Sequence, residues 1–176
     1  MSAPGTTRAA VLVPLLDLGD RVHVLLTRRR SDMRRHAGEI SFPGGRCDPE
    51  DPTPTATALR EAQEEVGLPP GNVDVLGALP PTGTIVTGYV VYPIVGWIER
   101  PESWIPSPRE VDAVLELDAG ALLAGYQRRR LIRRGIPFQT DAYVVGEHLI
   151  WGATARMLGD LFERIPPEMV TPPPVA

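Results

Sequence analysis

Residues 53–68 read TPTATALREAQEEVGL, an alanine-rich run that carries three glutamates. Thr53 suits an N-cap, and Pro54 suits the first helical position, where its missing N–H costs nothing. Ala56, Ala58, Leu59, Ala62 and Val66 follow at helical spacing, and Gly67 can adopt the left-handed conformation that ends a helix. The pattern predicts a helix over 54–66. On it Glu61, Glu64 and Glu65 share a stripe about 100° wide, where each like-charged pair costs roughly 0.2–0.5 kcal/mol. Glu64 and Glu65 also fall in the last turn, where the helix dipole disfavours anions. Arg60 reaches Glu64 at i+4 but leaves Glu61 and Glu65 uncompensated. Two accounts fit: a solvated acidic face, or a site for a hard divalent cation that binds carboxylate oxygens and cancels their repulsion.

The whole chain of 176 residues, 43% apolar with net charge −4, suits one domain with a real core. Residues 1–165 are expected to form it. Residues 166–176, with five prolines, read as an extended or mobile tail. All eighteen basic residues are arginine. They cluster at Arg28, Arg29, Arg30, Arg34 and Arg35 and again at Arg128, Arg129, Arg130, Arg133 and Arg134. Each cluster reads as either a solvated basic face or an anion site, since the guanidinium fork matches phosphate oxygens. Cys47 is the single cysteine, which excludes an intrachain disulfide and suits a reducing cytoplasm. Pro14 and the acids Asp17 and Asp20 break the early apolar run before it resembles an export signal. No stretch approaches the ~20 apolar residues that span a bilayer, so a cytoplasmic protein without membrane partners is expected.

Alternating and apolar runs predict strands over 9–16 and 22–27, joined by a turn at 17–20, and over 39–45, 73–79, 89–98 and 110–117. Asp118 is expected to cap a short helix. Residues 135–145 and 147–151 read as a hairpin around Gly146, and 153–165 as a final helix closed by Pro166 and Pro167. Strands dominate and helices punctuate them, which points to an α/β protein with a mixed sheet covered by helices.

From Gly45 onward the chain resembles the Nudix hydrolase signature, G-x5-E-x7-R-E-U-x-E-E-x-G-U with U aliphatic. Arg60 to Leu68 fit it. Upstream, Asp51 stands where the first glutamate belongs, and one residue is inserted before Arg60. VLLTRRRSDMRRHAGEISFPGG, residues 24–45, is similar to a second pattern, that of the coenzyme A diphosphatase branch. Leu25, Leu26, Thr27, Arg29, Arg34, Gly38, Phe42, Pro43, Gly44 and Gly45 carry the match, while Arg30 replaces the branch serine.

The resemblance implies a Nudix fold, an α/β/α sandwich around a mixed sheet. It also implies metal-dependent hydrolysis of the diphosphate of coenzyme A or its thioesters. Mg²⁺ or Mn²⁺ would neutralise the diphosphate and orient a water. Glu61 and Glu65 are the expected metal ligands, with Glu64 sharing that shell and Arg60 orienting Glu64. Glu61 is the first candidate base; Glu110 is the second, with a plain surface carboxylate as its alternative. Arg29 and Arg34 are expected either to meet substrate phosphates or to brace the glycine loop, and Gly44 and Gly45 to permit close backbone approach. A small-molecule diphosphate is the expected partner and nucleic acid is not; a homodimer is left open. The rival readings are a broader hydrolase of dinucleotides or nucleotide sugars, and a catalytically inactive protein that binds nucleic acid through its arginines.

Overall fold

The computed structural model describes residues 7–34, 36–84 and 87–171. The expected first hairpin is present, with β1 (Thr7–Leu18) and β2 (Arg21–Arg29) joined through Gly19 and Asp20, both at positive φ. The segment expected as one strand over 39–45 is two: β3 (Ile40–Ser41) pairs β2, and β4 (Gly44–Arg46) pairs β1. Phe42 and Pro43 divide them, and proline's missing N–H interrupts a ladder. Then come α1 (Pro54–Val66), β5 (Val73–Ala78), β6 (Thr82–Gly83), β7 (Tyr89–Ile98) and β8 (Val111–Asp118). The chain continues through α2 (Ala119–Ala124), β9 (Tyr126–Arg133), β10 (Ile136–Val145), β11 (His148–Trp151) and α3 (Gly152–Phe162).

The large sheet runs β3-β2-β1-β7-β5, with β8 also on β2, β4 on β1 and β6 on β7. It is mixed because β1 and β7 run parallel, from Thr7 opposite Tyr89 to Leu15 opposite Trp97. Along β1 the strand period sends Val13 and Leu15 to one face and Leu12 and Leu16 to the other. On the second face α1 lays Ala58, Ala62 and Val66 against Leu12, Leu16, Leu25 and Ile94. Fully burying leucines such as Leu12 and Leu25 contributes roughly 1.5–3 kcal/mol each, so the packing of this face can carry an unfavourable group of glutamates on α1. The first face is covered by Leu122 of α2, by Met157, Leu158 and Leu161 of α3, and by Tyr143 and Ile150 of a three-stranded antiparallel sheet, β11-β10-β9.

One element was not foreseen and one expectation changes. The second arginine cluster is mostly strand β9, which among the described residues pairs only with β10 and exposes most of its side chains. Solvent on both sides erases the apolar alternation that marks a strand, and the arginines discourage further edge pairing. The proline-rich tail is not extended where it begins. Pro167–Val170 form a 3₁₀ turn, Val170 is buried in the core, and the Thr171 carbonyl accepts from Arg21 Nη2 at 2.8 Å. Residues 172–176 of that tail lie outside the described residues. Among the described residues, no helix is long and apolar enough to cross a membrane.

Candidate active site

α1 begins and ends as its sequence dictates. Thr53 Oγ1 accepts from the Ala56 N–H, and Gly67 turns left-handed at φ 72°. Its last carbonyls are then taken by a returning segment: Ser107 N donates to Glu65 O at 2.8 Å and Ile105 N to Val66 O at 3.0 Å. These bonds fix the start of β8, and Glu110 with it, against the acidic end of α1. From the other side β4 closes in. A Cβ on Gly44 would collide with the backbone of Ala10 and Val11, and one on Gly45 would stand 2.5 Å from Glu61 Oε1. Gly45 is thus the gap that holds the Glu61 carboxylate.

Arg60 makes more bonds than its spacing foretold. It meets Asp51 with two bonds, Nε to Oδ1 at 3.1 Å and Nη2 to Oδ2 at 2.8 Å, and Nη1 donates to Glu61 Oε1 at 3.1 Å. Its contacts to Glu64 are longer, 3.4 Å to each oxygen. Asp51 Oδ2 also accepts from Thr57 Oγ1 at 2.8 Å and from the Asp48 N–H. The Arg60 guanidinium, the Thr57 hydroxyl and that N–H hold the Asp51 carboxyl well below the usual carboxylate range. Asp51, in the loop that departs from the signature, is therefore the anchor of Arg60. Its only sequence signal was its place where the first glutamate stands.

Glu61 and Glu65 are disfavoured as anions. Burial pushes Glu61 up, opposed by Arg60, and its side chain is 15% exposed. Glu65 is pushed up to about 8, first by burial and then by the charges of Glu110 and Glu61. A hydrogen bond from the Gly44 backbone and the charge of Arg29 oppose that rise. Glu64, at 57% exposure, stands apart on the surface. Glu110, distant in sequence, is thus brought to the same carboxylates.

The register of β8 against β2 contributes. Arg28 lies opposite Ala113 and Arg29 opposite Val111, so Asp112 is the extra residue of a bulge, and Arg28 Nε takes its carboxylate at 3.0 Å. Thr27 is buried and donates to Ser41 O at 3.3 Å, a brace for the glycine loop. Arg34 lines an open cleft of about 780 Å³ together with Arg46 and Arg133.

Among the described residues, no three His, Cys, Asp or Glu side chains converge closely enough to hold an ion in this arrangement. The donor chemistry fits a hard divalent cation nonetheless. The donors are carboxylate oxygens, two of them resist ionising unaided, and Arg60 holds Glu61 by Oε1, which leaves Oε2 for an ion.

The model of the NUDIX domain matches residues 6–134. The chain belongs to the Nudix hydrolase family. Nudix hydrolases act on pyrophosphate bonds and generally use divalent metals such as Mg²⁺ or Mn²⁺. It is 41% identical over 159 residues to a protein of Photorhabdus laumondii named uncharacterized Nudix hydrolase NudL, covering 89% of this chain and 84% of that relative. A Salmonella newport protein of the same name is 42% identical over 156 residues, covering 88% and 80%. Among solved structures, a MutT/nudix family protein from Enterococcus faecalis superposes with a TM-score of 0.60 at 17% identity, over 93% of this chain and 63% of that one. A C. elegans Ap4A hydrolase binary complex gives 0.56 at 19%, over 64% and 80%. At those identities the likeness establishes the Nudix fold.

Proposed function

We propose that this Nudix hydrolase cleaves the diphosphate of coenzyme A or acyl-coenzyme A, with Mg²⁺ or Mn²⁺, to 3',5'-ADP and 4'-phosphopantetheine or its acyl form. One observation carries the reading: the upstream branch pattern and the acidic helix act on the same two carboxyls. Gly44 and Arg29 bear on Glu65, and Gly45 makes room for Glu61.

Glu61 through Oε2 and Glu65 are the residues to hold the ion, and exposed Glu64 stands at the margin. A bound divalent ion supplies charge neutralisation of the diphosphate oxygens and acidification of water. Arg60, fixed by Asp51, keeps the Glu61 carboxylate seated against Gly45. Glu110 lies beside Glu65 and is exposed, which suits it to take the proton of the attacking water; Glu61 is the other candidate base. Arg29, and Arg34 in the cleft, offer guanidinium forks to substrate phosphates. The catalytic unit is the domain expected over residues 1–165, with Val170 of the following turn packed into its core, and it acts on a small molecule in the cytoplasm.

A broader hydrolase is the second reading, favoured by the openness of the cleft. The C. elegans protein is titled an Ap4A hydrolase, and the Shewanella oneidensis NrtR Nudix domain was crystallised with ADP ribose. Product analysis over a panel of diphosphates with Mg²⁺ and Mn²⁺ separates the two. Phosphopantetheine released from coenzyme A, with dephospho-coenzyme A a poorer substrate, supports the first. Indifference to the 3'-phosphate supports the second. Salt-dependent RNA binding without metal-dependent hydrolysis overturns both.

A further inference from the structure

Arginines far apart in the chain meet in one cleft: Arg34 after β2, Arg46 at the end of β4, and Arg133 and Arg134 at the β9–β10 turn. Several other arginines around the sheet are neutralised, Arg21 by Asp118, Arg28 by Asp112, Arg30 by Asp32 and Arg100 by Glu116. Among the described residues none of the four cleft guanidinium groups forms an ion pair. The cleft's own acid, Glu39, is turned to His36 Nδ1 at 2.8 Å. Positive charge gathered in one cleft of a protein of net charge −4 is what a multiply charged anion requires.

The turn adds an independent sign. Arg134 and Gly135 occupy a two-residue hairpin loop, both at positive φ (50° and 77°), with Arg133 paired to Ile136 across it. The first such position favours Asn, Asp or Gly, because a long side chain pays a steric penalty there. Keeping arginine at that point sacrifices turn stability and sets a guanidinium at the cleft mouth. On the cleft floor, Phe138 and Trp151 are half-buried with ring centroids 5.8 Å apart, tilted at 50°. Such a pair offers an aromatic face to a planar base.

The cleft and the carboxylate site share β4 as a wall. Gly45 faces Glu61, and strand alternation turns the next residue, Arg46, the other way, towards the cleft. β4 is three residues long, so a single short strand separates the two sites.

We propose that this cleft is a subsite for a phosphorylated nucleoside, with Arg133 and Arg134 clamping a phosphomonoester and Phe138 and Trp151 receiving the base. The subsite rests on the coenzyme A reading above and names the part of the chain that senses the 3'-phosphate.

The test is calorimetric binding of adenosine 3',5'-bisphosphate and of adenosine 5'-monophosphate to the full chain without added divalent ion. Wild type is expected to prefer the bisphosphate by about tenfold or more, and R133Q/R134N to lose most of that preference. R134N relaxes the turn, so its melting temperature is expected to hold or rise, which separates lost binding from lost folding. Equal affinity of wild type for both ligands, or an unchanged preference in the double variant, overturns the subsite. The hydrolytic reading fails separately. Coenzyme A left intact while the double variant loses bisphosphate preference removes the activity and keeps the subsite. Coenzyme A cleaved by the double variant with undiminished dependence on the 3'-phosphate does the reverse.

Discussion

Titrating Mg²⁺ into the protein across the neutral pH range tests the carboxylate site most directly. Without an ion, burial and the neighbouring charges of Glu110 and Glu61 keep the Glu65 carboxyl protonated up to about pH 8. The rise from an ordinary 4.5 to about 8 corresponds to on the order of 5 kcal/mol against the carboxylate. Because the folded value is raised, this group's stabilisation of the metal-free protein is full below about pH 4.5 and is lost as pH climbs through about 8. An ion must displace that proton. The apparent affinity is therefore expected to weaken about tenfold for each pH unit below the folded value, and about a hundredfold across two units. Calorimetry in buffers of different ionisation enthalpy counts the protons released. The expectation is close to one per ion near neutrality and none well above pH 8, with the release abolished in Glu65→Gln. A dissociation constant that ignores pH over this range, or binding that releases no proton near neutrality, refutes the reasoning.

Gly45→Ala places a Cβ 2.5 Å from Glu61 Oε1 and is expected to lower kcat about a hundredfold while the melting temperature changes little, since β4 is short and at an edge. Arg29→Gln removes a charge that lowers the Glu65 pKa, so the acidic limb of the pH–rate profile moves to higher pH. Asp51→Asn loosens Arg60 and is expected to cost about tenfold in kcat. The depressed Asp51 pKa stabilises the fold above the ordinary 3.8 and ceases to do so as pH falls through the lower folded value. Acid-unfolding curves of wild type and Asp51→Asn should therefore converge at the lowest pH.

What could be foreseen from sequence was local chemistry. Thr53, Pro54 and Gly67 bound α1 at the residues expected, because caps and stops act within a few positions. The two core strands β1 and β7 were visible because both faces are covered and their apolar runs are long. β9 was hidden by solvent exposure, and the docking of Val170 by its company of prolines, since a single apolar residue acquires a partner only through tertiary packing. The same division runs through the site. Glu61 and Glu65 announce themselves by helical spacing, whereas Glu110 arrives through the backbone bonds of Ser107 and Ile105 to the end of α1. Nor could spacing show that Arg60 belongs first to Asp51, because that bond depends on how an irregular loop folds back over the helix.

The bulge at Asp112 bears on how such a site can change over generations. One additional residue lies between Val111 and Ala113, just after the turn that carries Glu110, and Arg28 occupies the added carboxylate while Arg29 bears on the acids of α1. A substitution at Glu110 alters one group. Loss of the single codon for Asp112 removes the bulge and the carboxylate that neutralises Arg28, while Arg28 and Arg29 keep Ala113 and Val111 as partners. Deletion at this point would therefore cost a descendant of this chain the Arg28–Asp112 pair and leave in place the turn that brings Glu110 to Glu65.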